Sequence, residues 1–232
     1  GLIFIRGQKE NFDSWRALGN QGWSYDDVLP YFRKLEIFSG APSQYHCLLD
    51  DVQVSQLRNY HPHCAAWIAS ARHLGLPGND DFNRASTYGV CAYHLSIGKR
   101  WRSSAATAFL KPALSRPNLT VLTETMVEKI IITDGVATAV RVKNALGSAD
   151  INAAAEVILC AGAIQSPQIL QLSGIGSAKL LSKLDIPVLV DRAEVGGNLQ
   201  DHYQMRTIVQ MNDPVSLNNQ VRNPLSLLKM GF

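Results

Sequence analysis

Residues 157–176 read VILCAGAIQSPQILQLSGIG, and this stretch decides the fold of the 232-residue chain. Its first four residues, 157–160, form a short, continuous apolar run, which is typical of a strand covered on both faces in a parallel sheet. Ser166 then predicts a helix N-cap, Pro167 suits the first helical position, and Gly174 suits the left-handed residue that ends a helix. The stretch therefore predicts a strand–helix unit of an open α/β sheet.

The carboxyl end of the predicted strand is a candidate nucleotide site. Ligands of open α/β sheets bind beyond the carboxyl ends of the strands. Ala161 and Gly162 lie at this end, and their small size would let a ligand approach the backbone. Close packing of the helix on the strand would require the same small residues, so the pattern alone leaves both interpretations open.

Three further segments are predicted to be helical. Residues 11–36 indicate irregular helical structure with several aromatics, residues 62–75 have apolar positions at helical spacing, and residues 103–114 are expected to form a helix behind a capping serine. In the first segment Ser24 is a candidate N-cap, and Pro30 is expected to interrupt or bend the helix. The third segment has Ser103 or Ser104 as its candidate cap.

Strands are predicted at three more places. Residues 119–122 resemble a buried strand. Residues 127–133 and 136–142 flank the pair Asp134-Gly135, which is typical of a two-residue hairpin turn. The combined pattern indicates a mixed α/β protein.

Composition excludes several classes of protein. Apolar residues make up 46% of the chain and charged residues 18%, which indicates a globular protein with a sizeable core. The net charge is +3, and the charged residues are scattered along the chain. They do not form the basic stripe with interleaved aromatics that is typical of a nucleic-acid-binding protein. No apolar run approaches the roughly 20 residues of a membrane helix. The four irregularly spaced cysteines favour reduced thiols and a cytoplasmic protein, with peripheral attachment to the inner membrane as the alternative.

Three motifs resemble functional sites, but their spacing or the neighbouring sequence favours a structural role. Residues 174–176 begin like a dinucleotide fingerprint, but the third glycine is missing and a helix precedes them, so they are interpreted as a helix end. Asn198 is a candidate cap, and Asp201 could orient His202. Five potential metal ligands lie close in sequence: His46, Cys47, His61, His63 and Cys64. They lack the repeated spacer of zinc sites, so a surface segment is favoured and a metal-binding module is kept as the alternative.

A family resemblance runs through nearly the whole chain. Residues 162–176 resemble the second signature segment of the glucose-methanol-choline (GMC) oxidoreductases and contain its SP-x-[IL]-L-x-x-SGIG core without a break. Residues 198–202 read NLQDH and resemble another element of that family. Segments upstream of these two elements also resemble the family: residues 6–7, 13–15, 19–25, 27–32, 102–105, 108–110 and 116–119.

The resemblance implies an FAD-dependent oxidoreductase that transfers a hydride from an alcohol to flavin. The implied fold class is α/β (mixed α+β). The chain would contain part of an FAD-binding Rossmann-like domain with a β-hairpin insertion. Part of a substrate-binding domain would be interleaved with this FAD-binding domain. The implied segments are residues 1–40 (FAD-proximal segment and lid), 41–95 (substrate domain), 96–202 (FAD-binding domain) and 203–232 (start of the substrate-binding domain).

The resemblance also implies a set of FAD contacts: Gly1, Leu2 and Ile3 beside the flavin, Val127 at the adenine, and Ala161 and Gly162 at the nucleotide. The family's catalytic histidine has no counterpart in this chain, and His202 does not match its motif, so no catalytic residue is assigned. We therefore expect a fragment that is inactive when isolated. The alternatives are a non-catalytic metal-binding module and a short paralogue that pairs with another chain.

Overall fold

The computed structural model describes residues 2–47, 52–57, 61–98, 101–210 and 221–222. The chain divides into two compact units, residues 1–121 and residues 122–232. Both units combine helices with strands, as the sequence predicts.

The first unit contains short strands and helices in alternation. In chain order these are β1 (Ile3–Phe4), α1 (Lys9–Ala17), α2 (Tyr25–Leu35), β2 (Glu36–Phe38), β3 (Val52–Val54), α3 (Pro62–His73), β4 (His94–Leu95), a π-helical turn (Ala106–Leu110) and α4 (Lys111–Ala113). β1 pairs with β4 in antiparallel orientation, and β2 pairs with β3 in parallel orientation. Phe38, Val52 and Val54 form the buried apolar cluster of this unit.

Helix α2 begins where the sequence predicts, at a capping box. The Ser24 hydroxyl accepts a hydrogen bond from the Asp27 backbone N–H at 3.3 Å, and the Asp27 carboxylate accepts one from the Ser24 N–H at 3.0 Å. The helix continues through Pro30 to Leu35, so the predicted interruption is wrong. Proline leaves the Asp26 carbonyl without its helical donor, but both residues are exposed and water can satisfy that oxygen.

The other two helical predictions of this unit are confirmed. Helix α3 runs from Pro62 to His73, and Gly75 follows it with a left-handed φ of 92°. Ser104 begins the helical segment near residue 106, because its hydroxyl accepts a hydrogen bond from the Thr107 N–H at 3.3 Å.

The strand predicted at residues 119–122 is wrong. Leu119, Val121 and Leu122 are all exposed, and none of the described strands pairs with them. A buried strand needs hydrogen-bonded neighbours, and apolar composition alone cannot supply them.

The second unit is built around a three-stranded antiparallel meander and a helix. Its elements are β5 (Met126–Thr133), β6 (Val136–Asn144), β7 (Gly147–Asn152), α5 (Gly162–Leu172), β8 (Ile175–Gly176), α6 (Ala178–Lys183) and β9 (Val190–Asp191). Asp134 and Gly135 have φ angles of 51° and 78°, which confirms the predicted hairpin turn. Strand β7 was not predicted, because all six of its residues are exposed and its sequence has no apolar alternation.

The stretch 157–176 folds differently from its prediction at its start. Residues 157–160 form no strand, and Ile158 is 75% exposed, so that prediction is wrong for the same reason as at residues 119–122. Helix α5 begins at Gly162, which leaves Ser166 and Pro167 inside the helix. The Ser166 hydroxyl accepts a hydrogen bond from the Ala161 N–H at 3.0 Å and therefore does not cap a later start.

The end of α5 matches its prediction. Gly174 has a φ of 86°, and its N–H donates to the Gln171 carbonyl at 2.9 Å. The glycines at 174 and 176 thus belong to a helix end and to strand β8, which pairs with β9, and not to a dinucleotide fingerprint.

Replacing Gly174 by alanine should destabilise the chain strongly. The added Cβ would lie 2.6 Å from the Pro187 carbonyl oxygen, in addition to the cost of a left-handed φ. We expect a loss of about 2–5 kcal/mol, from a conformational cost of about 1–2 kcal/mol and an overpacking cost of about 1–3 kcal/mol. Gly19→Ala is the matched control, since Gly19 has a φ of 101° but nothing within 4 Å of the added carbon. Urea unfolding of both variants measures the difference, and equal losses would contradict the predicted clash.

Candidate functional site

The N-terminus of α5 forms an open corner. Ala161 is the N-cap residue, and Gly162, the first helical residue, has a φ of 86°. Gly162 is exposed, and a Cβ built on it would meet nothing within 4 Å. The backbone N–H groups of a first helical turn have no acceptor within the helix and carry a partial positive charge. This corner therefore has the space and the donors to receive an anionic group such as a phosphate.

A pocket of about 360 Å³ runs beside the first turns of α5. It is lined on the helix by residues such as Ala163 and Pro167, and on the opposite side by Gly196, Gly197 and Leu199. The Gln171 side chain fixes this loop, because its Nε2 donates to the Val195 carbonyl at 2.9 Å. The two glycines keep the loop wall free of side chains.

Val127 lies on β5, at an irregular position of the meander. It is half-buried and pairs with Val142, and the register shifts between Val127 and Lys129. Such a bulge leaves backbone groups without regular ladder partners. β5 packs against α5, and the Ile130 N–H donates to the Ser173 hydroxyl at 2.8 Å. Val127, Ala161 and Gly162 thus lie in one compact unit.

The other predicted contacts lie in the first unit. Leu2 and Ile3 are exposed, and Ile3 is paired with Leu95 in the β1–β4 ladder. Gly1 lies outside the described residues. Asn83 fixes the chain beyond this strand: its Oδ1 accepts from the Arg6 N–H at 2.8 Å, and its Nδ2 donates to the Phe4 carbonyl at 3.2 Å. The assignment of these residues to FAD stays a prediction.

A buried charged network in the first unit was missed by the sequence analysis. The Arg6 guanidinium lies 2.6 Å from Glu36 Oε1, and His46 Nδ1 lies 2.5 Å from the same oxygen. His46 Nε2 lies 2.6 Å from Asp81 Oδ2. The side chains of Glu36 and His46 are fully buried. Glu36 stands between apolar neighbours in the sequence, and an acid in such a run is the signal that could have indicated a buried ion pair.

Burial and pairing oppose each other in this network. Burial lowers the pKa of His46, but its hydrogen bonds to Asp81 and Glu36 outweigh burial and raise the pKa above its ordinary value. Burial raises the pKa of Asp81, but the hydrogen bonds from His46 and from the Asn83 backbone N–H outweigh it and lower the pKa below its ordinary value. The imidazolium is therefore the stable form of His46, held between two carboxylates.

The metal-binding alternative finds no support in the geometry. Across the described ranges, no three His, Cys, Asp or Glu side chains come close enough together to hold a metal ion. His46 belongs to the charged network, and His61 begins α3, where its Nδ1 accepts from the His63 N–H at 3.3 Å. All four cysteines are free.

The motif at residues 198–202 is exposed along its whole length. Asp201 Oδ1 accepts a hydrogen bond from the backbone N–H of His202 at 2.7 Å and does not orient the imidazole. Asn198 has a positive φ of 51° in a bend that no described helix follows. None of the helices that the structure describes is both long and apolar enough to span a bilayer.

The open helix N-terminus beside a glycine loop is suited to an anionic group such as a phosphate. The family model described as GMC oxidoreductase matches residues 1–204. The chain belongs to the GMC oxidoreductase family, and the family resemblance predicted from the sequence is confirmed.

Curated relatives match almost the whole chain. The oxygen-dependent choline dehydrogenase of Rhizobium rhizogenes is 36% identical over 219 residues, which cover 94% of this chain and 39% of the relative. The mitochondrial choline dehydrogenase of Homo sapiens is 38% identical over 234 residues, covering 100% of this chain and 39% of the relative. The chain thus spans about two fifths of the length of these relatives.

Solved structures agree with the family assignment. An FAD-dependent oxidoreductase from Chaetomium thermophilum superimposes with a TM-score of 0.75 at 34% identity, covering 82% of this chain and 35% of that chain. Pyridoxine 4-oxidase from Mesorbium loti gives a TM-score of 0.74 at 30% identity, covering 82% and 38%. The predicted mixed α/β fold class and FAD as the cofactor of the family are confirmed.

The charged network should give the chain a defined pH range of greatest stability. The pKa of His46 is raised, so its contribution is fully present below the unfolded value of about 6.5 and is lost as the pH rises through the folded pKa. The pKa of Asp81 is lowered, so its contribution is present above about 3.9 and is lost as the pH falls through the folded pKa. We expect the contribution of these two groups to the free energy of unfolding to be greatest between about pH 4 and 6.5, as measured by urea unfolding across pH.

His46→Phe should remove the alkaline limb of this profile. It should also cost at most about 3–5 kcal/mol, because it removes the cation that two buried carboxylates share and leaves Glu36 with Arg6 and Asp81 with Arg84. Lys9→Ala is the control, since it breaks an exposed ion pair with Asp13 and a cation–π contact with Tyr25, neither of which involves His46, and should leave the profile nearly unchanged. An unchanged alkaline limb in the His46 variant would contradict the assigned role.

Proposed function

We propose that the whole protein containing this chain is an FAD-dependent oxidoreductase that removes a hydride from the hydroxyl-bearing carbon of an alcohol. Choline is the alcohol we favour, because relatives named choline dehydrogenases match 94–100% of the chain. The observation that carries the proposal is the open corner at Gly162, which occupies the position that the family resemblance assigns to the nucleotide.

The residues of this chain would bind and orient the cofactor. We assign the first-turn amides of α5 to the anionic part of the dinucleotide, the irregular edge of β5 at Val127 to the adenine, and Gly1, Leu2 and Ile3 to the flavin. When bound, FAD supplies the acceptor for the hydride. No residue of this chain is assigned as the base that takes the hydroxyl proton.

The segment assignments and the location complete the proposal. Residues 1–40 and 96–202 would belong to the FAD-binding side, and residues 41–95 and 203–232 to the substrate side. A cytoplasmic location is supported by the four free cysteines, since reducing compartments keep thiols unpaired.

The whole protein should be yellow when purified. We expect flavin absorbance in the visible range, and we expect anaerobic choline to bleach it as the flavin is reduced. Glycine betaine, which keeps the quaternary ammonium but has no hydroxyl group, is the matched control and should leave the spectrum unchanged. A protein without bound flavin would reject the proposal, and a flavoprotein reduced only by other alcohols would reject choline.

Gly162→Val should weaken FAD binding at least tenfold, equivalent to about 1.4 kcal/mol, because its side chain would occupy the corner. Gly19→Val is matched in backbone strain, since both glycines have a positive φ and nothing within 4 Å of an added Cβ. Fluorescence titration of the apoprotein with FAD measures both affinities. Equal weakening in the two variants would show that the corner does not contact FAD.

The isolated 232-residue chain should not oxidise choline, even with added FAD, because it has no residue assigned as the base. A dye-coupled assay measures this, with the whole protein as the positive control. Choline-dependent turnover by the chain alone would contradict this prediction and place the base within these 232 residues.

A further inference from the structure

Asn83 is a buried residue whose side chain holds the backbone on both sides of Ile5. It is 3% exposed. Its Oδ1 accepts a hydrogen bond from the Arg6 N–H, and its Nδ2 donates one to the Phe4 carbonyl. A primary amide donates and accepts at the same time, so one side chain fixes both peptide groups that flank Ile5. Nothing in the proposed function uses this residue.

Strand β1 has few other constraints. It contains two residues and pairs with β4, and the Leu2 carbonyl beside it accepts from the Ser96 N–H at 2.7 Å. Phe4 packs against the apolar cluster of the first unit, whereas Leu2 and Ile3 are exposed. Isolated two-stranded ladders are marginally stable. The ladder alone therefore holds the strand weakly, and Asn83 adds an anchor at its end.

Asn83 is itself held in place by the buried charged network. Its backbone N–H donates to Asp81 Oδ1 at 2.8 Å, and Asp81 Oδ2 lies 2.6 Å from His46 Nε2. Asp81 Oδ1 also lies 3.5 Å from Nδ1 of His94, the residue opposite Phe4 in the β1–β4 ladder. One buried carboxylate therefore lies beside both residues that neighbour Phe4, and it bonds directly to Asn83.

We propose that Asn83 is a positioning residue for the flavin, which sets through the backbone how closely Leu2 and Ile3 approach the cofactor. This inference rests on the proposed function, which assigns Gly1, Leu2 and Ile3 to the flavin. Because Asn83 is buried, it acts through β1 without touching cofactor or substrate. A misplacement of about 1 Å at the reacting groups can slow a reaction about a hundredfold, so even a small displacement of this strand has a measurable effect.

Asn79 provides a matched control from the same loop. Its Nδ2 donates to the Ser86 carbonyl at 2.8 Å, and its Oδ1 accepts from the Asp81 N–H at 2.9 Å, but neither bond reaches β1. Without Asn79, the Asp81 carboxylate would still be held by His46 at 2.6 Å and by Arg84 at 3.2 Å. Asn79→Ala therefore removes the same kind of buried amide bonding as Asn83→Ala and leaves the anchor of β1 in place.

The test compares the two variants in the whole protein with FAD bound. Asn83→Ala should change the visible absorption and circular dichroism of the flavin. It should also lower the limiting rate of anaerobic flavin reduction by choline about tenfold to hundredfold, because the flavin is misplaced. The choline concentration that gives half of this rate should stay within about threefold, since substrate binding does not involve this backbone. Asn79→Ala should keep the flavin spectrum and the rate of the unmodified protein.

A purely structural role would give a different result. It predicts that both variants lose stability in urea unfolding and that neither changes the spectrum of the flavin that remains bound. Equal spectral changes in both variants, or none in Asn83→Ala, would therefore overturn the proposal. The spectra need no substrate, so this outcome is decisive whichever alcohol is oxidised.

Asn83→Ser is the second variant, for the case that Asn83→Ala does not fold. Its hydroxyl can replace one of the two bonds, so the spectrum and the reduction rate should lie between those of the unmodified protein and complete loss. Values equal to those of the unmodified protein would reject a positioning role for Asn83 alone. An unmodified whole protein that contains no flavin would instead reject the proposed function, and with it this inference.

Discussion

The first unit depends on one interaction, the double hydrogen bond of the His46 ring with Glu36 and Asp81. The two carboxylates belong to segments 45 residues apart in sequence, by the difference of their numbers, and His46 is the cation that they share. Arg6 extends this interaction to the chain that follows β1. Phe38 lies with its ring centroid 4.1 Å from that of His46 and joins the charged network to the apolar cluster.

This arrangement connects the network to the segment that we assign to the flavin. The Asn83 side chain bonds to the backbone on both sides of Ile5, and its own N–H is held by Asp81 at 2.8 Å. The Asn83 side chain therefore holds the end of β1, and the buried carboxylate of Asp81 in turn holds Asn83. In the second unit, neutral hydrogen bonds hold the backbone in place. The Ser173 hydroxyl bonds to β5, and the Gln171 amide bonds to the glycine loop.

The sequence predicted local features well and non-local features poorly. The Ser24 N-cap, the Asp134-Gly135 turn and the end of α5 at Gly174 depend on residues within one turn of each other, and all three are confirmed. Residues 119–122 and 157–160 have the composition of buried strands, but a strand exists only beside another strand, and composition carries no information about that neighbour. The start of α5 was misplaced because Ser166 bonds backward to Ala161 from within the helix. The same limit applies to the site: the local strand–helix pattern and the family resemblance both pointed to Ala161 and Gly162, whereas no pattern joined His46 to its partners.

The wide sequence spacing of the charged network has a consequence for how the first unit folds. Arg6 must meet Glu36 across 30 residues, His46 must meet Asp81 across 35, and Arg6 must meet Asn83 across 77. Closing such loops loses chain entropy before any contact rewards it, and contacts of this range slow folding. Until they form, several charges remain hydrated and oppose collapse of the surrounding apolar residues. We therefore expect the meander of the second unit, whose strands are joined by short turns, to acquire its structure first during refolding.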